Sequence, residues 1–184
     1  MNKNAFPASP SNLADRPEVL TQIRKTFESF RDQASRNPDV IARFSENPIE
    51  EFLKYAPEEL RTSLSTEQKE KAKAILLDSE HMGRIQETVH AINYAKQKNL
   101  PGEQLLASGW GSAFCQIGLW TAIVLALGAA IAVSQGALIA PLIAVDAGII
   151  PVLAAITGLS ENMIIGMAGA GGFTFKKLID AACA

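Results

Sequence analysis

Three observations predict an all-α protein. Apolar residues recur at intervals of three and four through most of the first hundred positions, helix-opening signals separate these runs, and no stretch alternates with the period of two that a half-buried strand needs. The charge pattern then divides the chain. Of 36 Lys, Arg, Asp and Glu residues, 31 lie in 1–103, and residues 104–184 carry only Asp146, Glu161, Lys176, Lys177 and Asp180. The predicted architecture is an N-terminal bundle of short helices followed by an apolar C-terminal helical hairpin and an amphipathic tail.

Residues 1–14 hold Pro7, Ser9, Pro10, Ser11 and Asn12 with little to bury, and they read as a mobile arm. A soluble helical unit is expected over 15–99. Val19, Leu20, Ile23, Phe27, Phe30 and Ala34 share one face of a helix from about 16 to 35. Asn37-Pro38 and Asn47-Pro48 each offer an N-cap followed by a proline whose missing N–H costs nothing in the first turn, with Glu50 placed to close a capping box. Two short helices should follow, burying Val40, Ile41 and Phe44, then Phe52, Leu53 and Tyr55. Pro57 opens a turn through Leu60 and Leu64. Ser65 or Thr66, with Glu67 and Gln68 behind them, caps a helix striped by Ala72, Ile75 and Leu76, and the pattern resumes through Met82, Ile85, Val89, Ile92 and Tyr94. Leu100-Pro101-Gly102 ends it, which makes 100–108 the expected linker.

The second half, 109–184, reads as a membrane-interacting segment. Gln104 to Val145 is 42 residues without a formal charge, about twice the roughly 20 needed to cross a hydrocarbon core. Two apolar stretches are expected, 113–133 and 137–158, separated by Ser134-Gln135-Gly136, with a tail over 161–184 that opens at Ser160. Trp110 and Trp120 are placed to sit at a membrane interface and Lys176 and Lys177 at headgroups. Asp146, alone in the second stretch, should face a partner helix, a water-filled path or the bilayer surface. Lys96 and Lys98 before the first stretch, with Lys176 and Lys177 after the second, put both ends of an inserted hairpin on the cytoplasmic side. Small residues recur every fourth position through Gly128, Ala132, Gly136 and on to Gly148, a spacing that lets helix backbones approach and predicts self-association.

Several chemistries find no footing. A net charge of −2 without a basic run argues against nucleic acid. His81 and His90 fall on opposite faces of a continuous helix, and the neighbouring carboxylates of Glu50-Glu51 and Glu58-Glu59 diverge, so they read as first-turn acids favoured by the helix dipole. No catalytic residues, cofactor or metal is expected, and the chain is not read as an enzyme. Cys115 and Cys183, 68 residues apart, lack zinc or CxxC spacing; they read as small packing residues, with a mutual disulfide as the alternative. No apolar run near the N-terminus has the form of a cleavable secretory signal.

In arrangement and in its Ala, Gly, Ile and Leu content, the chain resembles leader-plus-core precursors of hydrophobic, bacteriocin-like membrane-active peptides, some of them circular. The stretch LLASGWGSAF lacks the Gly-Gly pair that leader peptidases of bacteriocin exporters usually read. The resemblance implies a lipid bilayer as target, an exporter-peptidase or cyclising enzyme as partner, and a product secreted after processing from a cytoplasmic N-terminal domain. The sequence equally accommodates a resident two-span membrane protein with a cytoplasmic helical adaptor, or a pore-forming protein whose N-terminal helices shield the apolar hairpin until it meets membrane.

Overall fold

Six apolar side chains spaced by three or four along Pro17–Arg36 (α2) fall on one side of a 20-residue helix, and all six are buried. That stripe is the bed on which the rest of the molecule packs. The computed structural model describes residues 5–7, 10–37, 39–77, 80–99, 111–128, 132–134, 137–139, 149–169 and 173–184. Among them the fold is all-α: α1 (Pro10–Ala14), α2, α3 (Asp39–Glu46), α4 (Pro48–Leu53), α5 (Glu58–Ser63), α6 (Thr66–Leu77) and α7 (Glu80–Gln97) come from the charged half. The apolar half supplies α8 (Gly111–Leu127), α9 (Ile149–Thr157), α10 (Glu161–Gly169) and α11 (Phe175–Ala182). One antiparallel pair of three-residue strands, β1 (Ala132–Ser134) and β2 (Ala137–Ile139), lies between α8 and α9, with Val133 opposite Leu138.

Local chemistry explains most of the boundaries. Ser65 accepts from the Gln68 N–H at 3.1 Å while the Gln68 side chain accepts from the Ser65 N–H at 2.9 Å, a complete capping box at the start of α6. Ser160 caps α10 through the Met163 N–H, and Thr174 caps α11 through the Lys177 N–H. Asn37 closes α2 through its backbone N–H to the Gln33 carbonyl and receives the Asp39 N–H on its side chain. Asn47 does occupy the cap position of α4, but its side chain makes no capping bond there. Gly158, at φ +76°, ends α9 in the left-handed conformation, its N–H bonded to the Ala154 carbonyl at 2.9 Å.

The two halves share one core. Phe30 lies at its centre, with ring centroids 5.2 Å from Phe44, 5.6 Å from Phe52 and 5.9 Å from Tyr55. Phe27, Phe30, Phe44, Phe52 and Tyr55 are therefore packing residues. Within the stretch expected as a mobile arm, Phe6 and Leu13 are buried, and the Phe6 N–H bonds the Ser63 carbonyl at 3.0 Å, so residues 5–7 and α1 lie against the bundle.

Glu51 is a first-turn acid of α4, as expected, and it is also buried. It is 2% exposed, and its carboxylate takes Lys54 Nζ at 2.7 Å, Arg43 Nε at 3.3 Å and the Tyr55 hydroxyl, which donates at 3.3 Å. Burial, then the charge of Glu51 and this hydrogen bond, hold the Tyr55 phenol above its ordinary pKa. A folded pKa raised above the unfolded one contributes stability that is complete below about pH 10 and is lost as pH rises through the folded value. Above about pH 10 the urea midpoint of the protein should therefore fall more steeply with pH than that of Tyr55→Phe, and parallel curves would dismiss the coupling.

Candidate functional site

The chemistry that stands out is a length of helix too apolar to be exposed and wrapped so that it is not. Between Ser112 and Leu127 the chain carries no charged side chain, so α8 has no polar face to turn to water. Residues 117–127 are buried without a break. The wrapping comes from both halves, as α2, α4, α6 and α7 pack on α8 from one side of the chain and α9 and α11 from the other. The buried Thr121 returns its hydroxyl to the Ile117 carbonyl at 3.0 Å, so the helix spends its internal polar group on itself.

Gly118 sets how closely α8 sits on α2. A Cβ there would stand 2.9 Å from Phe27 Cδ2 and 3.0 Å from Phe30 Cδ1, closer than real side chains tolerate. This close-approach glycine escaped the sequence reading, which looked to the four-residue row instead. That row is not one helical seam. Gly128, at φ +31°, lies in the left-handed region just past Leu127, and Ala132 is in β1, so the first stretch ends as helix six residues before 133. β2 likewise begins the second stretch as strand, and α9 covers its last part, Ile149–Thr157. Short Ala, Val and Leu runs suit either state, and here the cross-strand pairing of 132–134 with 137–139 decides.

The other expected positions divide as follows. Trp120 is 6% exposed, inside the core and not at a surface. Lys176 and Lys177 are exposed on α11, Lys176 paired with Asp180 at 3.0 Å, while Phe175, Leu178 and Ile179 on the opposite face are buried against the core. The tail is thus the expected amphipathic helix, with its apolar face covered by this same chain. Trp110, Gly136, Asp146, Gly148 and the linker 100–108 lie outside the described residues. His90 is exposed, as expected of a solvated histidine. No cluster of three or more His, Cys, Asp or Glu suited to a metal ion occurs among the described residues.

Cys115 and Cys183 are joined in a disulfide, with Cα atoms 5.8 Å apart. The reading of two small packing residues is thereby corrected: the fold returns α11 along α8, which brings together positions 68 apart in sequence. Gln116 reinforces the same pairing, its amide reaching the Asp180 carboxylate at 3.4 Å. The bond begins and ends within 109–184, and the chain has no other cysteine. Between the halves the hold is non-covalent. Arg24 on α2 donates to the Ile156 carbonyl at 2.6 Å, at the open C-terminal end of α9, while its guanidinium lies against Gly158 and over the Phe27 ring.

Two further features describe the sheath's limits. At the C-terminal end of α8, residues 124–128 line a cavity of about 410 Å³ beneath Phe6 and Pro7. On the outside, α10 is apolar yet buries only Ile164, leaving Met163 and Ile165 about half exposed, at 50% and 51%. Among the described residues no single helix is long and apolar enough to cross a membrane, although α9 and α10 pass that test as a pair bent by 117°. Comparison with protein-family models, curated proteins and solved structures finds no match for this chain.

Proposed function

We propose that this is a membrane-active protein in which the helices of 15–99 act as a sheath for an apolar segment, 109–184, that enters a lipid bilayer once the two are parted. The observation that carries the reading is α8: eleven consecutive residues, 117–127, buried largely by amphipathic helices from the other side of the linker. A helix apolar on every side is costly in water and stable in either of two places, a protein core or a bilayer, and a sheath attached through a short linker lets one chain occupy each in turn. The position of the disulfide supports the same reading. It staples 109–184 to itself and leaves the leader free of any covalent bond except the chain, as a separable precursor requires. A persistent disulfide also suits passage of that segment into an oxidising compartment, through an exporter or maturation enzyme, with the leader remaining in the cytoplasm.

The test places a protease site in 100–108 of the full chain and follows dye release from phosphatidylcholine–phosphatidylglycerol vesicles before and after cutting. Release should begin on cutting, at a protein concentration about tenfold below any that the intact chain requires. Arg24→Ala should advance this further, since losing a charge-assisted bond across the halves weakens their association by about 1.5 kcal/mol, roughly tenfold in the dissociation constant of the cut pair. Cut protein that leaves vesicles intact at every concentration would refute the proposal. Intact chain that remains in membranes through alkaline carbonate extraction would favour the resident two-span protein instead.

A further inference from the structure

We propose that the Cys115–Cys183 bond is a thiol–disulfide exchange site with a fixed polarity: small thiolates enter at Cys183 Sγ, and Cys115 is the sulfur that leaves. The inference concerns this bond alone and stands whether or not the chain acts on membranes.

Access is unequal. Cys115 is 6% exposed on the inner side of α8, while Cys183 is half-buried at the end of α11. Both line a cavity of about 390 Å³ that opens to solvent between α2, the start of α8 and the end of α11, so an attacking thiolate meets Cys183 first. Stabilisation of the leaving charge is unequal in the same sense. Arg31 Nη1 lies 4.0 Å from Cys115 Sγ, and the guanidinium is held there by stacking over the Phe27 ring at 5.3 Å. The other charged side chain lining the cavity, Asp32, has its carboxylate engaged by Arg36 at 3.1 Å. Helix geometry adds to the difference: Cys183 occupies the C-cap of α11, where backbone carbonyls disfavour a thiolate. Negative charge that develops as the bond breaks is better placed on Cys115.

The step balances without any group beyond the entering thiol. A thiolate RS⁻ attacks Cys183 Sγ, the Cys183–Cys115 bond breaks, and its electron pair leaves on Cys115 as a thiolate beside Arg31. The product is a mixed disulfide, R–S–S–Cys183. A second thiolate then attacks the sulfur of R, releasing Cys183 as thiolate and RSSR, so two thiols are oxidised by two electrons and the protein disulfide is reduced.

Reduced glutathione is the probe. The oxidised full-length protein is exposed to it, quenched in acid at short times, labelled with a maleimide and mapped by peptide mass spectrometry. The first product should carry glutathione on Cys183 and the maleimide on Cys115. Arg31→Gln should slow that first step about fivefold, with Arg31→Lys restoring most of the rate and far-UV circular dichroism confirming that both variants are folded. Glutathione found equally or mainly on Cys115 would overturn the proposed polarity, as would an unchanged rate in Arg31→Gln or reduction that begins only when the protein unfolds.

Discussion

Replacing Cys115 and Cys183 together by alanine should lower the unfolding free energy by about 4 kcal/mol. The disulfide closes a loop of 68 residues, and the chain-entropy relation for a loop of that length gives about 4.4 kcal/mol at 25 °C. What the bond encloses makes this reading apt. Residues 115–183 include most of α8, both strands and α9 to α11, so in the unfolded chain the bond restricts the more apolar half. In the folded protein α8 and α11 are also held by packing and by the Gln116–Asp180 contact, so the native arrangement should survive at low denaturant. Guanidinium unfolding of the double variant against the oxidised protein measures the effect as a loss of the free energy extrapolated to water, with a steeper slope because the denatured chain without its cross-link is less compact. A loss below about 1 kcal/mol would mean that the denatured chain keeps these segments together without the bond.

The second large effect is expected at Gly118. Gly118→Val should cost about 3 kcal/mol, because the added methyl groups enter space already held by Phe27 and Phe30. Neither ring has a ready retreat. Phe30 is braced by Phe44, Phe52 and Tyr55, and the Phe27 ring has the guanidinium groups of Arg24 and Arg31 at 5.4 and 5.3 Å from its centroid. Relief must come from α8 moving off α2, which loosens the central contact of the fold. The matched comparison is Gly83→Ala on α7, where a Cβ meets nothing within 4 Å; there the gain in helix propensity should stabilise by about 0.5–1 kcal/mol. If both variants unfold at the same urea concentration, the contact between α8 and α2 is not the close one described.

These two positions also mark where sequence reading reaches its limit. The face of α2, the caps at Ser65 and Ser160 and the amphipathic form of α11 were legible because each depends on residues within a turn or two of one another. Gly118 was not, since nothing on α8 announces that two phenylalanine rings from α2 will stand against it; the need for a missing side chain exists only once both helices are in place. The cysteines gave no local signal either, because their pairing follows from the return of α11 along α8. Glu51 and its neighbour Glu50 look alike as first-turn acids, and the difference between them arises from Arg43 on the preceding helix and Tyr55 in the following turn. The chain reverses at the expected break after Ser134, but the strand form of its two flanks was missed for a related reason: their composition satisfies helix and strand alike, so that pairing of 132–134 with 137–139 decides what local preference leaves open.

The order of the elements along the chain has a kinetic consequence. A ribosome adding about 5–20 residues per second exposes α2 to α6 first, and the 33 residues between Leu77 and Gly111 give roughly 2–7 s before the start of α8 follows. Helices and local contacts form in microseconds to milliseconds, so the aromatic bed of Phe27, Phe30, Phe44 and Phe52 can assemble well before the apolar helix has left the tunnel. The apolar helix α8 therefore emerges beside a surface already shaped to receive it, and the N-terminal helices can cover it during synthesis as they do in the finished fold.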